Sequence, residues 1–355
     1  MERTIARYLE GLGDYCLFHE DCLETSRRLP ESSIDLIYAD PPFCTGRSHH
    51  MHGYEFEDRW SGLREYLDWM TPRLGEFKRI LKQTGTLYLH CDWHVSHYLK
   101  VLVDTLFGAE TFLNEIVWKR QSAHNDARQG SRHFGRVHDS ILVYTKSSRY
   151  VWNQQYAAYD ENYVERAYRY VDPETGRRYA LGDLTAPGGA AKRNAHYEFL
   201  GVERYWRYGK PRMFELLLMG RIRHAKGKVP LLKRYLDEMP GRPIQDVWTD
   251  IGPVSPKSVL YPTQKPEDLL SRIITTSSNE NQLVYDPFAG SGTAGAVCFR
   301  TSRRWIGSEI SQHACRLALN RLISRGCNVS FHACRESSPA VFHTLGEGNV
   351  CAGRS

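Results

Sequence analysis

The sequence has no apolar run that approaches the roughly 20 residues needed to span a membrane. Its N-terminal segment, MERTIARYLEGLGDY, also lacks the apolar centre of a signal peptide. The nine cysteines form no CxxC pair, and their odd number argues against a closed disulfide framework. We therefore expect a soluble protein of a reducing, cytoplasmic compartment.

Metal-binding motifs are absent as well. The histidine-rich stretches HHMH, at residues 49–52, and HCDWH, at residues 90–94, have no well-spaced partner ligands elsewhere in the chain. We expect these histidines to be hydrogen-bonded or exposed to solvent, and we expect no metal ion.

The chain does have enough apolar residues for a large core, since 41% of its 355 residues are hydrophobic. Short apolar strands alternate with amphipathic helices in two blocks, one before about residue 120 and one after about residue 245. Such alternation predicts an α/β fold with a mostly parallel sheet and helices on both faces.

The middle of the chain is strongly basic. Residues 119–245 contain 24 Lys and Arg against 13 Asp and Glu, a balance of +11, whereas the rest contains 23 against 28, a balance of −5. Aromatic residues are interleaved with these charges, and this pattern suits a phosphate polymer such as a nucleic acid. A solvated basic face over an aromatic core explains the composition equally well. We interpret residues 120–245 as an insertion, with part of 137–147 as a possible core strand.

The stretch VYDPFAGSGTAG, residues 284–295, ends a predicted strand at Asp286 and begins a helix after a glycine-rich turn. Such a turn lets the backbone approach a ligand at the carboxyl end of a strand. It lacks the lysine of a phosphate-binding loop and the third glycine of a dinucleotide site. A carboxylate at this place suits a positively charged cofactor, and Glu309, which ends the next strand, is placed to bind ribose hydroxyls.

The stretch IYADPPFCTG, residues 37–46, leaves another apolar strand through Asp40, two prolines and Phe43. The prolines restrict the backbone and would hold a carboxylate and a neighbouring carbonyl in fixed directions. Taken alone, the same residues could simply form a turn that ends a strand.

Three motifs, DPPF, YPTQKP and DPFAGSGT in that order, resemble those of S-adenosylmethionine-dependent DNA methyltransferases that modify exocyclic amines, in the permuted beta-class arrangement. The resemblance extends over nearly all of residues 15–325. It implies a circularly permuted, Rossmann-like methyltransferase fold. Its implied parts are a catalytic half at 1–119, a target-recognition insertion at 120–245, a cofactor-binding half at 246–330 and a tail at 331–355.

The same resemblance implies the site residues. The catalytic motif would be Asp40, Pro41, Pro42 and Phe43. Binding of S-adenosylmethionine would involve Asp40 and the following residues: Asp21, Cys22, Thr263, Lys265, Asp286, Phe288, Gly290, Ser291, Gly292, Thr293 and Glu309. In this interpretation Lys265 pairs with the methionine carboxylate. No Pro-Cys dipeptide occurs, so we expect Cys44 not to act as a nucleophile.

Double-stranded DNA is the expected partner, with a cognate restriction endonuclease and a homodimer as further possibilities. The expected DNA-binding residues are Arg47, Lys119, Arg120, Arg128, Arg132 and Arg136. An initial Asp in the first motif favours N6 of adenine, and N4 of cytosine is the alternative. A methyltransferase acting on RNA amines, or an inactive module that binds cofactor and DNA, is the remaining alternative.

Overall fold

The computed structural model describes residues 14–51, 54–121, 132–255 and 264–333, with the backbone alone at 47–51 and 54–57. These residues form two compact units. The first contains the described residues up to Asn153 and from Gln245 onward, and the second is Gln154–Ile244.

Strands occur in both units. In chain order they are β1 (Tyr15–His19), β2 (Ile34–Ala39), β3 (Arg47–Met51), β4 (Tyr54–Asp58), β5 (Leu81–Cys91), β6 (Phe112–Lys119), β7 (His138–Thr145), β8 (Tyr156–Ala157), β9 (Tyr170–Val171), β10 (Arg178–Asp183), β11 (Ala195–Phe199), β12 (Val202–Trp206), β13 (Ile222–Arg223), β14 (Leu231–Tyr235), β15 (Arg242–Pro243), β16 (Val247–Trp248), β17 (Leu283–Asp286), β18 (Arg304–Glu309) and β19 (Val329–Ala333).

The helices are α1 (Cys22–Arg28), α2 (Leu63–Ile80), α3 (Ser96–Phe107), α4 (Glu161–Ala167), α5 (Lys210–Leu218), α6 (Glu267–Ser277), α7 (Thr293–Arg300) and α8 (Gln312–Ile323). Several have recognisable ends. Asp21 caps α1 by accepting a hydrogen bond from the backbone of Leu23, and Gly108 ends α3 with a positive φ of 100°.

A nine-stranded sheet forms the centre of the first unit, in the order β16-β6-β7-β5-β2-β17-β18-β1-β19. Its neighbouring strands run parallel except at β7, which is antiparallel to both β5 and β6. The parallel part has fully buried strands such as β2 and β17, as expected when both faces of a sheet are covered.

Side chains of β5 show that helices cover both faces. Leu87 and Leu89 pack in one core cluster with residues of α2 and α3, such as Phe77. Between them, the hydroxyl of Tyr88 lies 2.8 Å from that of Ser277 on α6. Because successive side chains of a strand point to opposite faces, α6 lies on the face opposite α2 and α3.

The order of the strands creates a crevice at the carboxyl edge of the sheet. After β2 the chain continues to β5 on one side, whereas after β17 it continues to β18 on the other. Ligands of open α/β sheets bind where connections diverge in this way. Asp40 follows β2 directly and Asp286 ends β17, so both acids lie at this point.

The second unit has small antiparallel sheets. One follows the order β13-β14-β10-β9, and β11 pairs with β12 in a hairpin. Its core contains Trp206, Phe199 and Met213. Asp172 is buried beside it and accepts hydrogen bonds from Lys233, at 2.8 Å, and from the hydroxyl of Tyr235. These contacts connect β14 to the turn before β10.

The sheet confirms the α/β fold expected from the sequence. The boundaries differ in detail. Strand β7 belongs to the central sheet, so the compact middle unit is 154–244 and not the whole of 120–245. Strand β19 extends the sheet to residue 333, a few residues into the segment that we interpreted as a tail. The roles of these regions stay predictions. No helix among the described residues is long and apolar enough to cross a membrane.

Candidate active site

A cleft of about 1280 Å³ opens at the carboxyl edge of the central sheet. Loops that follow β1, β2, β5, β6, β17 and β18 contribute to its walls. It brings together most of the residues expected from the sequence, namely Asp21, Cys22, Asp40, Pro41, Pro42, Phe43, Lys265, Asp286, Phe288, Gly290, Ser291, Thr293 and Glu309. Thr263 lies outside the described residues.

Asp40 is nearly buried, and its two carboxylate oxygens differ. The ammonium group of Lys265 donates a hydrogen bond to Oδ2 at 2.5 Å. The other oxygen, Oδ1, is buried and has no hydrogen-bond partner among the described residues. A buried carboxylate oxygen without a partner is costly unless a ligand supplies a donor.

Asp58, at the end of β4, anchors the loop that follows Phe43. This buried carboxylate accepts hydrogen bonds from the backbone N–H groups of Cys44 and Thr45, both at 2.8 Å. It also accepts from the hydroxyl of Thr45 and the indole of Trp60. Cys44 has a positive φ of 57°, a conformation that needs such support. Burial raises the pKa of the Cys44 thiol, which disfavours the thiolate.

Phe43 is supported from behind by His90, which is fully buried. The two rings are stacked with centroids 5.8 Å apart and planes 26° apart. The imidazole is itself fixed at both nitrogens, since Nδ1 lies 2.9 Å from the hydroxyl of Tyr38 and Nε2 lies 3.2 Å from Oδ2 of Asp139. Burial raises the pKa of Tyr38 well above its usual value, so its hydroxyl stays protonated.

Asp139, at the start of β7, extends this network towards the cleft. Its Oδ1 lies 3.3 Å from Nε of Arg120. Burial alone would raise the pKa of Asp139, but the hydrogen bond from His90 and the charge of Arg120 outweigh it and lower the pKa. An ionised Asp139 therefore holds both the imidazole and the guanidinium.

The glycine-rich turn after β17 is held by Glu309 at the end of β18. Its carboxylate accepts hydrogen bonds at 2.8 Å from the backbone N–H groups of Gly290 and Ser311. Gly292 begins α7 with a φ of 71°, and a Cβ there would lie 2.8 Å from the Cβ of Ala318. Glycine is therefore required at this position both by conformation and by space.

Acidic side chains dominate this end of the cleft. Burial and the nearby charge of Asp40 raise the pKa of Asp286 well above its usual value. Burial likewise raises the pKa of Glu309, although its hydrogen bonds from backbone N–H groups oppose the shift. Carboxyl groups crowded in this way favour a positively charged ligand, which would stabilise their ionised forms.

Asp21 connects the loop after β1, which lines the cleft, to α2. Its Oδ2 accepts a hydrogen bond at 2.5 Å from Arg73, whose side chain is almost completely buried. The guanidinium of Arg73 also stacks on Trp69 at 3.7 Å, and Trp69 contacts the ring of Phe288 with centroids 6.0 Å apart. An aromatic wall thus lies beside the glycine-rich turn.

The basic residues expected to bind DNA occupy different places. Arg120 and Arg136 line the cleft, where Arg120 pairs with Asp139 and Arg136 stacks on Trp93 at 3.7 Å. Lys119 and Arg132 are exposed to solvent. Arg47 begins β3, but its side chain and the whole of Arg128 lie outside the described residues.

Residues 34–320 match the N6_N4_Mtase family, whose description is DNA methylase. The chain belongs to this DNA methylase family. The match spans both motif-bearing blocks of the first unit and the whole second unit. The beta-class order of the motifs is a feature of the sequence that the match does not test.

Two curated methyltransferases and one solved structure are similar to the chain over most of its length. The Type II methyltransferase M.EcaI of Enterobacter cloacae is 29% identical over 314 residues, which cover 86% of this chain and 68% of that protein. The DNA adenine methyltransferase YhdJ of Escherichia coli K12 is 27% identical over 314 residues, covering 86% and 82%. TTHA0409 of Thermus thermophilus, solved with S-adenosyl-L-methionine, is 16% identical and covers 92% of this chain and 100% of its own, with a TM-score of 0.49.

Several residues that shape this methylase cleft were not identified from the sequence. Asp58, Arg73 and Asp139 are distant in sequence from the motifs they support. His90 was noticed only as part of a histidine-rich stretch. One local pattern could have indicated a site here, because His90, Cys91 and Asp92 directly follow an apolar run, as Asp40 follows β2. Among the described residues, no cluster of three or more His, Cys, Asp or Glu side chains is arranged to hold a metal ion.

Proposed function

We propose that the chain transfers a methyl group from S-adenosylmethionine to the N6 amine of an adenine flipped out of double-stranded DNA. The observation that carries this proposal is the buried Oδ1 of Asp40 at the crevice between β2 and β17, which has no hydrogen-bond partner in the part of the chain that the structure describes. Family membership supports the reaction class, and the crevice supports the pairing of a donor site with an acceptor site.

The residues of the cleft fit the proposed methyl donor. S-adenosylmethionine supplies an electrophilic methyl group on a positively charged sulfur. Buried Asp286 and Glu309 provide negative charge for a cationic ligand, and Glu309 is the residue proposed to contact ribose hydroxyls. Trp69 and Phe288 offer apolar faces beside them. Gly292 lets the N-terminus of α7 lie close to Ala318, because a Cβ at this position would clash with it.

The chemistry at the other end requires a hydrogen-bond acceptor. The lone pair of an exocyclic amine is delocalised into the base, so the amine is a poor nucleophile until that pair is localised. Oδ1 of Asp40 accepts one N–H in this proposal, and the carbonyl of Pro41 accepts the other. As the new N–C bond forms, the C–S electron pair goes to sulfur and the amine loses one proton, for which Asp40 is the nearest base.

Phe43 is proposed to stack on the flipped base. An amine inside a duplex cannot reach a cleft, so enzymes that modify it extrude the nucleotide and hold it against aromatic rings. The stacked imidazole of His90 and the hydrogen bonds to Asp58 restrict the movement of this ring and of its loop. A rigid platform reduces the entropy lost when the base is bound.

Adenine is preferred over cytosine for two reasons. The proposed catalytic motif begins with Asp40, and the similar protein YhdJ is named as a DNA adenine methyltransferase. The family includes both N6 and N4 enzymes, so N4 of cytosine is the second candidate.

The basic unit at 154–244, with the flanking arginines, is proposed to bind DNA and recognise its sequence. The similar protein M.EcaI is named as a Type II methyltransferase, and this supports the proposal that the chain acts together with a cognate restriction endonuclease. We further propose action in the cytoplasm on duplex DNA, with a homodimer as the assembly to be tested.

The test is transfer of a tritiated methyl group to DNA and to RNA, followed by separation of the nucleosides. We expect label in N6-methyladenine from DNA. Asp40→Ala should abolish transfer while the affinity for S-adenosylmethionine stays within about threefold, because removal of one acceptor acts mainly on the reaction. Asp68→Ala, at an exposed position of α2, is the control and should transfer normally. Label in cytosine, label only in RNA, or normal transfer by Asp40→Ala would contradict the proposal.

A further inference from the structure

Lys265 forms an ion pair with Asp40, the proposed catalytic acid. Its Nζ lies 2.5 Å from Oδ2 of Asp40, and the side chains are only 11% and 15% exposed. The residue directly precedes Pro266, the N-terminal cap of α6, so its backbone is fixed at the start of a helix. The ammonium also lies 5.3 Å from the ring of Phe43.

This contact makes the two oxygens of Asp40 inequivalent. Oδ2 is occupied by a charge-assisted hydrogen bond, whereas Oδ1 is buried without a partner among the described residues. A carboxylate held by one oxygen cannot rotate freely to present the other one elsewhere. The direction in which Oδ1 can accept a hydrogen bond is therefore set by Lys265.

The ammonium also offsets crowding of negative charge. Asp40 raises the pKa of buried Asp286, and Lys265 lowers it. Without the lysine, the repulsion between Asp40 and Asp286 would lose this offsetting charge.

We infer that Lys265 is a positioning residue for the methyl-transfer step, which holds Asp40 by Oδ2 so that Oδ1 alone accepts the N–H of the target amine. The inference rests on the proposed function. It replaces the role expected from the sequence, in which Lys265 pairs with the methionine carboxylate of the cofactor.

The two roles predict different effects of Lys265→Met. If the lysine positions Asp40, the single-turnover rate at saturating cofactor and DNA should fall about 100-fold, since a small misplacement of a reacting group can cost this much. The dissociation constant for S-adenosylmethionine, measured by calorimetry, should stay within about threefold. Lys265→Arg, which can still donate to Oδ2, should restore at least a tenth of the wild-type rate.

Lys100 provides a matched control. It also pairs with an aspartate, Asp104, at 2.6 Å and lies over an aromatic ring, that of Phe112, at 4.1 Å, but it is on α3 away from the cleft. Lys100→Met should leave both the transfer rate and the cofactor affinity unchanged. Loss of affinity of tenfold or more in Lys265→Met, with an unchanged saturating rate, would overturn the inference in favour of the methionine carboxylate.

A second measurement does not depend on activity. Urea unfolding of Lys265→Met should show a lower midpoint than wild type, whereas adding the same change to Asp40→Asn should lower the midpoint by much less, because the ionic partner is already gone. Equal decreases in both backgrounds would overturn the inference even in an inactive protein. Absence of transfer by the wild-type chain would instead contradict the proposed function alone.

Discussion

Replacing Asp58 by asparagine should destabilise the loop that follows Phe43, although the two side chains have nearly the same shape. The carboxylate accepts four hydrogen bonds, two at each oxygen. An asparagine keeps one oxygen and turns an NH₂ group towards the donors of the other. If that group faces Thr45, the threonine hydroxyl can rotate to accept, but the backbone N–H of Thr45 is left against another N–H. A lost hydrogen bond to a charged group in a buried place costs about 1.5–3 kcal/mol.

We therefore expect the free energy of unfolding of Asp58→Asn to fall by about 2–3 kcal/mol, measured by urea denaturation with an unchanged m-value. The methyl-transfer rate at saturating substrates should fall about 10- to 100-fold because the loop follows Phe43 directly. Asp68→Asn is the control, since Asp68 has a 75% exposed side chain and its pairing with Arg64 is long, at 3.9 Å. Equal stabilities of the two variants, within about 0.5 kcal/mol, would refute the reasoning.

Two further changes test the cofactor end of the cleft. Gly292→Ala should destabilise the fold by about 1–2 kcal/mol in urea titrations and weaken binding of S-adenosylmethionine, because the φ of Gly292 is +71° and a Cβ would meet Ala318. The control is Gly75→Ala, inside α2 with open space around it, which should be neutral or stabilise the fold by up to about 1 kcal/mol in the same titrations. Since the pKa of Asp286 is raised in the folded state, its contribution to stability is present at low pH and is lost as pH rises through the folded pKa. As the pH rises from 5 to 8, the free energy of unfolding of Asp286→Asn should therefore increase relative to that of wild type. A difference between the two free energies that does not change with pH would contradict the burial argument.

The parts of the site predicted from sequence are those that lie next to strand ends. Asp40, Asp286 and Glu309 each end or follow an apolar strand, and the carboxyl ends of parallel strands meet at one edge of a sheet. Knowing the strands was therefore enough to expect these acids in one cleft. The fold followed from the same alternation of strands and helices.

Other parts depend on contacts between distant segments. Asp139 lies in residues 137–147, which were assigned to the insertion with a part as a possible core strand; strand β7 enters the sheet between β5 and β6 and brings Asp139 against His90. Arg73 was one charged residue on a helix, and only the packing of α2 on α1 directs it to Asp21. The partner of Lys265 was also out of reach, because 225 residues separate it from Asp40. Local sequence patterns do not indicate which distant residues will form such pairs.

The acidic lining of the cleft is consistent with the proposed reaction, in which a cationic cofactor and a neutral base enter while the rest of the DNA stays outside. Within the first unit, the cleft is lined by Asp21, Asp40, Asp92, Asp139, Asp286 and Glu309. A cationic donor gains from this field, and a flipped base is neutral, so neither is opposed by it. Phosphate groups would be repelled by this field, which would restrict them to the cleft rim and to basic surface elsewhere. Two of the cations that line the cleft, Lys265 and Arg120, are paired with acids, and Arg136 stacks on Trp93, so the acids of the lining outnumber its cations. In the proposed reaction, an acidic cleft in a basic protein would therefore admit the extruded nucleobase and keep the DNA backbone outside.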